Sequence, residues 1–175
     1  MPPTILASDV PLHSVLDREW VTSAYFRDAY RAPLSRPQAG IVELFLALFA
    51  HHPLWLKIVL LLRNCMARAC GLAVPTVAEV FDRTLQPHYR VGDKIGVWPL
   101  LSLTENELVV GRDNKHLDFR LSVLKQGPLH RASVTVSTVC RVHHFGGKLY
   151  LFFVVPFHRW GVQRLIADAL RAGRL

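Results

Sequence analysis

No stretch of this chain is apolar enough, for long enough, to suggest a membrane span. The longest candidate, LWLKIVLLL at 54–62, is nine residues with a lysine inside, against the roughly 20 that a spanning helix needs. Extending it backwards meets His51, His52 and Pro53, so a buried helical pair is expected instead. The opening MPPTILASDVPLHS has neither a basic region nor an apolar one, and no secretory signal is expected. Nucleotide chemistry is unsupported, because no G-x-G-x-x-G follows a strand. Zinc-finger spacing is missing, and so is any run of four basic residues. With 21 basic against 13 acidic residues the net charge is +8. The arginines are scattered, so no nucleic-acid partner is expected, while peripheral contact with an anionic membrane stays open. Cysteine is scarce. Cys65 and Cys70 lie five apart in a helical pattern and face different ways. Cys140 alternates onto the apolar side of a strand, and reduced buried thiols fit a cytoplasmic protein. No metal-ligand set and no cofactor are implied.

What is present suits one folded domain. The 51% apolar and 19% charged content argues against disorder, and 175 residues can bury a core. Residues 106–155 read as strands joined by tight turns at Asp113-Asn114, Gly127-Pro128 and Gly146-Gly147. Counting from the turns pairs Val110 with Leu117, Leu108 with Phe119, Leu117 with Cys140, and Cys140 with Phe153. One face then collects Leu108, Val110, Leu117, Phe119, Leu121, Val134, Val136, Cys140, Val142, Leu151 and Phe153. The other carries Glu107, His116, Asp118, Arg120, Ser122, Thr135, Ser137, Arg141 and His143. That register sets Glu107 opposite Arg120 and His116 opposite Arg141. The plain reading of this face is a solvated convex surface with cross-strand ion pairs. The alternative is a binding or acid–base row of His116, Asp118 and Arg120. Val139, Tyr150, Phe152 and Val154 on the same face point to a partner, a homodimer contact or a covering segment of the chain.

A first strand is expected at 24–33 (AYFRDAYRAP), followed by helices at 39–50 and 53–71. An amphipathic helix starts at Pro156 and ends near Gly173, its apolar side directed at the sheet. Residues 1–23 form an N-terminal extension and 24–175 one domain. The fold class is α+β: a curved antiparallel sheet wrapped around a long C-terminal helix, with a helical pair after the first strand. This order resembles the helix-grip fold of START, polyketide-cyclase and Bet v 1-like proteins, which implies an apolar cavity between sheet and helix. Four stretches are similar to the bacterial Domain of Unknown Function 2867 family: DAYRAPL at 28–34, PLWLKIVLLLRN at 53–64, VGDKIGVWPLL at 91–101 and LVVGRDNKHLDFRLSVL at 108–124. YLFFVVPFHRW at 150–160 continues the resemblance. It implies a bacterial cytoplasmic source and brings no catalytic residues with it.

In this architecture a pocket is mostly apolar with a few placed polar groups. Candidate ligand-binding residues are Tyr30, Trp98, Phe119, Cys140, Phe153, Phe157 and Trp160. Tyr25, Asp93, Arg120 and His143 join Tyr30 as polar candidates, with Asp93 equally suited to turn chemistry. His116 and Asp118 are the catalytic candidates, but an i, i+2 pair on a strand stands roughly 6.5–7 Å apart, too far for a direct hydrogen bond. Two functions are carried forward: binding of a small apolar molecule, and a cofactor-independent enzyme of the cyclase or dehydratase type. A weaker third is an accessory domain that docks on an oxidoreductase.

Overall fold

The computed structural model describes residues 4–51 and 88–175, with residues 58, 61, 62, 64, 65, 68 and 86 between them. Most of the helix expected over 53–71, and Cys70, lie outside the described residues. Among the described residues the order is β1 (Leu6–Ser8), α1 (Arg18–Thr22), β2 (Phe26–Pro33), α2 (Ile41–Phe49), β3 (Lys94–Ile95), β4 (Trp98–Leu103), β5 (Glu107–Asp113), β6 (Leu117–Gln126), a 3-10 turn (Leu129–Arg131), β7 (Ser133–Val142) and α3 (Phe145–Arg171). Seven antiparallel strands run β1-β2-β7-β6-β5-β4-β3. This is the α+β helix-grip layout: an open curved sheet with a long C-terminal helix on its concave face.

The expected registers are corrected, and the faces survive the correction. Val110 pairs with Leu121 and Leu108 with Val123. Leu117 pairs with Val142, and Phe119 with Cys140. The β5–β6 turn is longer than two residues because Asp113 pairs with Asp118. The Asp118 carboxylate accepts the Asn114 N–H at 3.0 Å and holds that wider loop. Each shift is an even number of residues, so alternation keeps every side chain on its side. Leu108, Val110, Leu117, Leu121, Val134, Val136 and Cys140 are all buried. Leu44, Phe45 and Leu48 of α2 press on this face and are at most 2% exposed, each worth about 1.5–3 kcal/mol of burial. Asp93 does turn chemistry: its carboxylate accepts the Arg90 N–H at 2.7 Å.

The third hairpin does not exist. Gly146-Gly147 begins α3, and residues 148–155 are helix rather than strand. Pro156, the expected first turn, lies inside that helix. Cys140 therefore pairs across to Phe26 of β2, not to Phe153. The physical reason sits at Gly147. A Cβ there would stand 2.5 Å from the His116 carbonyl and 2.8 Å from Val142 Cγ1. Bare glycine lets the helix start directly against the sheet's backbone. His144 caps the helix, its Nδ1 accepting the Gly146 N–H at 3.2 Å.

Part of the polar face is covered by a segment of the chain, while His143 at its end stays exposed. Val10, Leu16 and Val21 cluster with Val109 and Val139 of the sheet, with Trp20 and Ala24 packed alongside. Glu107 does not meet Arg120. It is 1% exposed, and its carboxylate accepts from Ser14 Oγ at 2.5 Å, Val15 N at 2.7 Å and Ser122 Oγ at 2.5 Å. Arg120 lies opposite Gly111, pairs with Asp113 and stacks 5.0 Å over the Trp20 ring. Arg141 lies opposite Asp118 rather than His116, and stacks on the same ring at 5.3 Å.

Candidate functional site

Alternation along β2 sends Phe26, Asp28, Tyr30 and Ala32 to the concave side. Three of these are apolar or aromatic, and one is a carboxylate. In an antiparallel sheet directly opposed residues share a face. Asp28 lies opposite Thr138, Phe26 opposite Cys140, and Tyr30 opposite Val136. Phe119 and Leu121 of β6 come next, opposite Cys140 and Thr138. The helix closes over this patch. His158 reaches Asp28, Nε2 to Oδ1, at 3.4 Å. The His158 ring stands edge-on to Phe26 at 5.7 Å between centroids, and Arg159 lies over the Phe26 ring at 5.6 Å.

Two polar atoms in this place lack a protein partner: Asp28 Oδ2 and Thr138 Oγ1 are buried with no hydrogen bond. The Asp28 side chain is only 10% exposed. The Tyr30 hydroxyl interacts with the Asp28 carboxylate by charge and by hydrogen bonding, while Oδ2 itself has no partner of good geometry. Burial first, then the Asp28 charge, raises the Tyr30 phenol above its usual range; a hydrogen bond with Gln163 and the Arg159 charge work the other way. The Cys140 thiol is pushed up to about 12, by burial first and by Asp28 second. A buried carboxylate oxygen left without a donor costs roughly 1–3 kcal/mol, which the long His158 contact offsets only in part.

The Cys140 shift has a sign that can be measured. A thiol with a raised native pKa stabilises the fold fully below pH 9.0, and that contribution disappears as pH rises toward 12. The unfolded chain ionises first over that window. Cys140→Ala should therefore flatten the alkaline limb of stability by about 1.4 kcal/mol per pH unit. Urea midpoints at a series of alkaline pH values check it, and an unchanged slope would disprove it.

Of the candidates, the fold brings Tyr30, Phe119 and Cys140 together. Trp98 is on β4, four strands away or roughly 19 Å, packed edge-on against Phe45 and Phe49 at 6.2 and 5.8 Å. Phe153, Phe157 and Trp160 stand on the outer side of α3 and are exposed, as is Tyr25. His116 and Asp118 are not joined to each other. Asp118 pairs with His143 at 2.9 Å, while His116 Nδ1 meets His144 Nε2; both pairs sit at the β6–β7 end of the sheet. The residues that the sequence reading missed are Asp28, Thr138, His158 and Gln163. An open cleft of about 380 Å³ lies at the β1 edge, bounded by Leu6, Arg31, His130 and Arg131. Its Arg31 is engaged by Ser133 Oγ at 2.9 Å. Among the described residues no group of three His, Cys, Asp or Glu is placed to hold a metal, and no helix is long and apolar enough to cross a membrane.

No curated protein and no solved structure matches the chain. A family model described as a protein of unknown function, DUF2867, matches residues 20–165. The match covers most of the chain, taking in β2 to β7, the Asp28 patch and α3 as far as residue 165, and the chain belongs to the DUF2867 family.

Proposed function

We propose that the protein binds a small, largely apolar molecule between β2, β7 and α3, and that Asp28 receives a hydrogen-bond donor from it. The observation that supports this is the unpartnered Asp28 Oδ2 beside the unpartnered Thr138 Oγ1, both buried. An aromatic and aliphatic wall of Phe26, Phe119 and Leu121 surrounds a single carboxylate. Such a wall favours apolar bulk, and the carboxylate selects for one hydroxyl or amine on it. Titration with 2-naphthol and with naphthalene, followed by their fluorescence, separates the two contributions. The alcohol should bind at least about tenfold tighter, as expected for a hydrogen bond to a buried charge. Asp28→Val should erase that preference and leave naphthalene binding. Failure of both probes to bind, or a preference that survives the substitution, would remove the reading.

The His158–Asp28 pair favours a second reading from another class. An imidazole steadied by a carboxylate can move a proton, as a cofactor-independent cyclase or dehydratase requires. Solvent deuterium entering the α position of added 2-tetralone, and not doing so with His158→Ala, distinguishes it from simple binding.

A further inference from the structure

The inward side of α3 runs through Gly147, Tyr150, Leu151, Gly161, Val162, Leu165, Ile166 and Ala169. The outward side of its first four turns is not polar. Phe145, Leu149, Phe152, Phe153, Phe157 and Trp160 are 75, 41, 72, 48, 54 and 51% exposed. Steps of three and four residues align them in one stripe. Contiguous exposed apolar surface of this kind marks a contact site. Its composition is unusual, since four phenylalanines and one tryptophan dominate it. Aromatic rings of this sort settle at the headgroup level of a bilayer. Ile58, Leu61 and Leu62 are exposed as well.

Charge decides the occupant. Lys148 and Arg164 lie along the same helix, which has no carboxylate before Asp168; Arg164 shares Asp168 at 3.3 Å, and Arg159 turns inward onto Phe26. The whole chain carries +8. A second copy would bring the same excess charge to the contact and be repelled. An anionic phospholipid surface satisfies the aromatic stripe and the positive charge together. We propose that α3 docks the protein, by its outward face, onto an anionic membrane surface without crossing it. The ligand site lies behind the opposite side of the helix, so the two proposals stand or fall separately.

The test is sedimentation of the full chain with vesicles of phosphatidylcholine, alone or mixed with phosphatidylglycerol. Binding to the mixed vesicles should exceed binding to the neutral ones by on the order of tenfold, and should weaken with added salt. Phe145→Ser combined with Phe152→Ser should abolish it while leaving the thermal melt and naphthalene binding unchanged. Should that pair unfold, Lys148→Glu with Arg164→Glu provides a second test, expected to lose the preference for phosphatidylglycerol. No sedimentation with mixed vesicles, or equal binding to neutral ones, overturns the proposal. So does a concentration-dependent dimer that the serine pair converts to monomer.

Discussion

Glu107→Ala should cost about 3–5 kcal/mol, the loss expected when one side of a buried charged network is removed. The carboxylate collects three donors, two of them from residues 14 and 15 of the chain's first segment and one from Ser122 of β6. Hydrogen bonds to a charged acceptor contribute roughly 1.5–3 kcal/mol each when both ends are buried. Truncation strands all three donors at once and leaves Val10, Leu16 and Val21 without their anchor on the sheet. Urea unfolding should show the midpoint falling. Proteolysis should begin cutting within residues 10–24, which now lie against Val109 and Val139. Glu107→Gln retains one acceptor oxygen and should lose less. A loss under about 1 kcal/mol for the alanine variant would show that apolar packing alone holds the segment in place.

Asp28→Val should do the reverse and stabilise the protein, by about 1–3 kcal/mol. The carboxylate lies on the concave side with one oxygen unpartnered, with His158 at 3.4 Å from the other and the Tyr30 hydroxyl beside it. Replacing a poorly matched buried charge with a packed apolar side chain commonly gains this much, and a β-branched residue suits the strand. Residues kept for binding rather than for folding carry this signature: stability rises when they are removed. A melting temperature that falls would mean that the His158 contact outweighs the desolvation of Asp28, and that the pair is structural.

Much of the architecture was readable because alternation is a robust signal. The two registers inferred from the turns within β5–β7 were off by even numbers of positions, so the inward set on those strands was right although the pairings were not; Phe153, placed in that set by the third hairpin, is exposed. The strand expected over 148–155 failed for a related reason. LYLFFVV at 149–155 is apolar or aromatic throughout, and an unbroken apolar run fits a strand or a helix equally well. Gly146-Gly147 tipped the reading towards a turn, whereas the fold uses Gly147 for close contact with the His116 carbonyl. Glu107 looked like a surface carboxylate because what buries it, residues 10–24, is remote in sequence. Asp28 could have been found: it stands between Phe26 and Tyr30 at period two, an acid on an inward-facing row. His158 lies four residues before Val162 on the buried side of α3, a position visible once the helix is known to start at 145. That β2 joins β7 has no local signature, and the site depends on that pairing.

The pairing also has a consequence for folding, because it closes a long loop. Contacts within the β4–β7 meander span short loops; Ser122 meets Glu107 only 15 residues back. Arg31 of β2 reaches Ser133 of β7 across 102 residues, and closing that much longer loop costs more chain entropy. The meander should therefore form first, with β2 added to it afterwards. Asp28 and Tyr30 arrive on the late strand, so their substitution should leave the refolding rate nearly unchanged and appear in the unfolding rate. The strand that carries Asp28 is then the one whose loss should open the fold first.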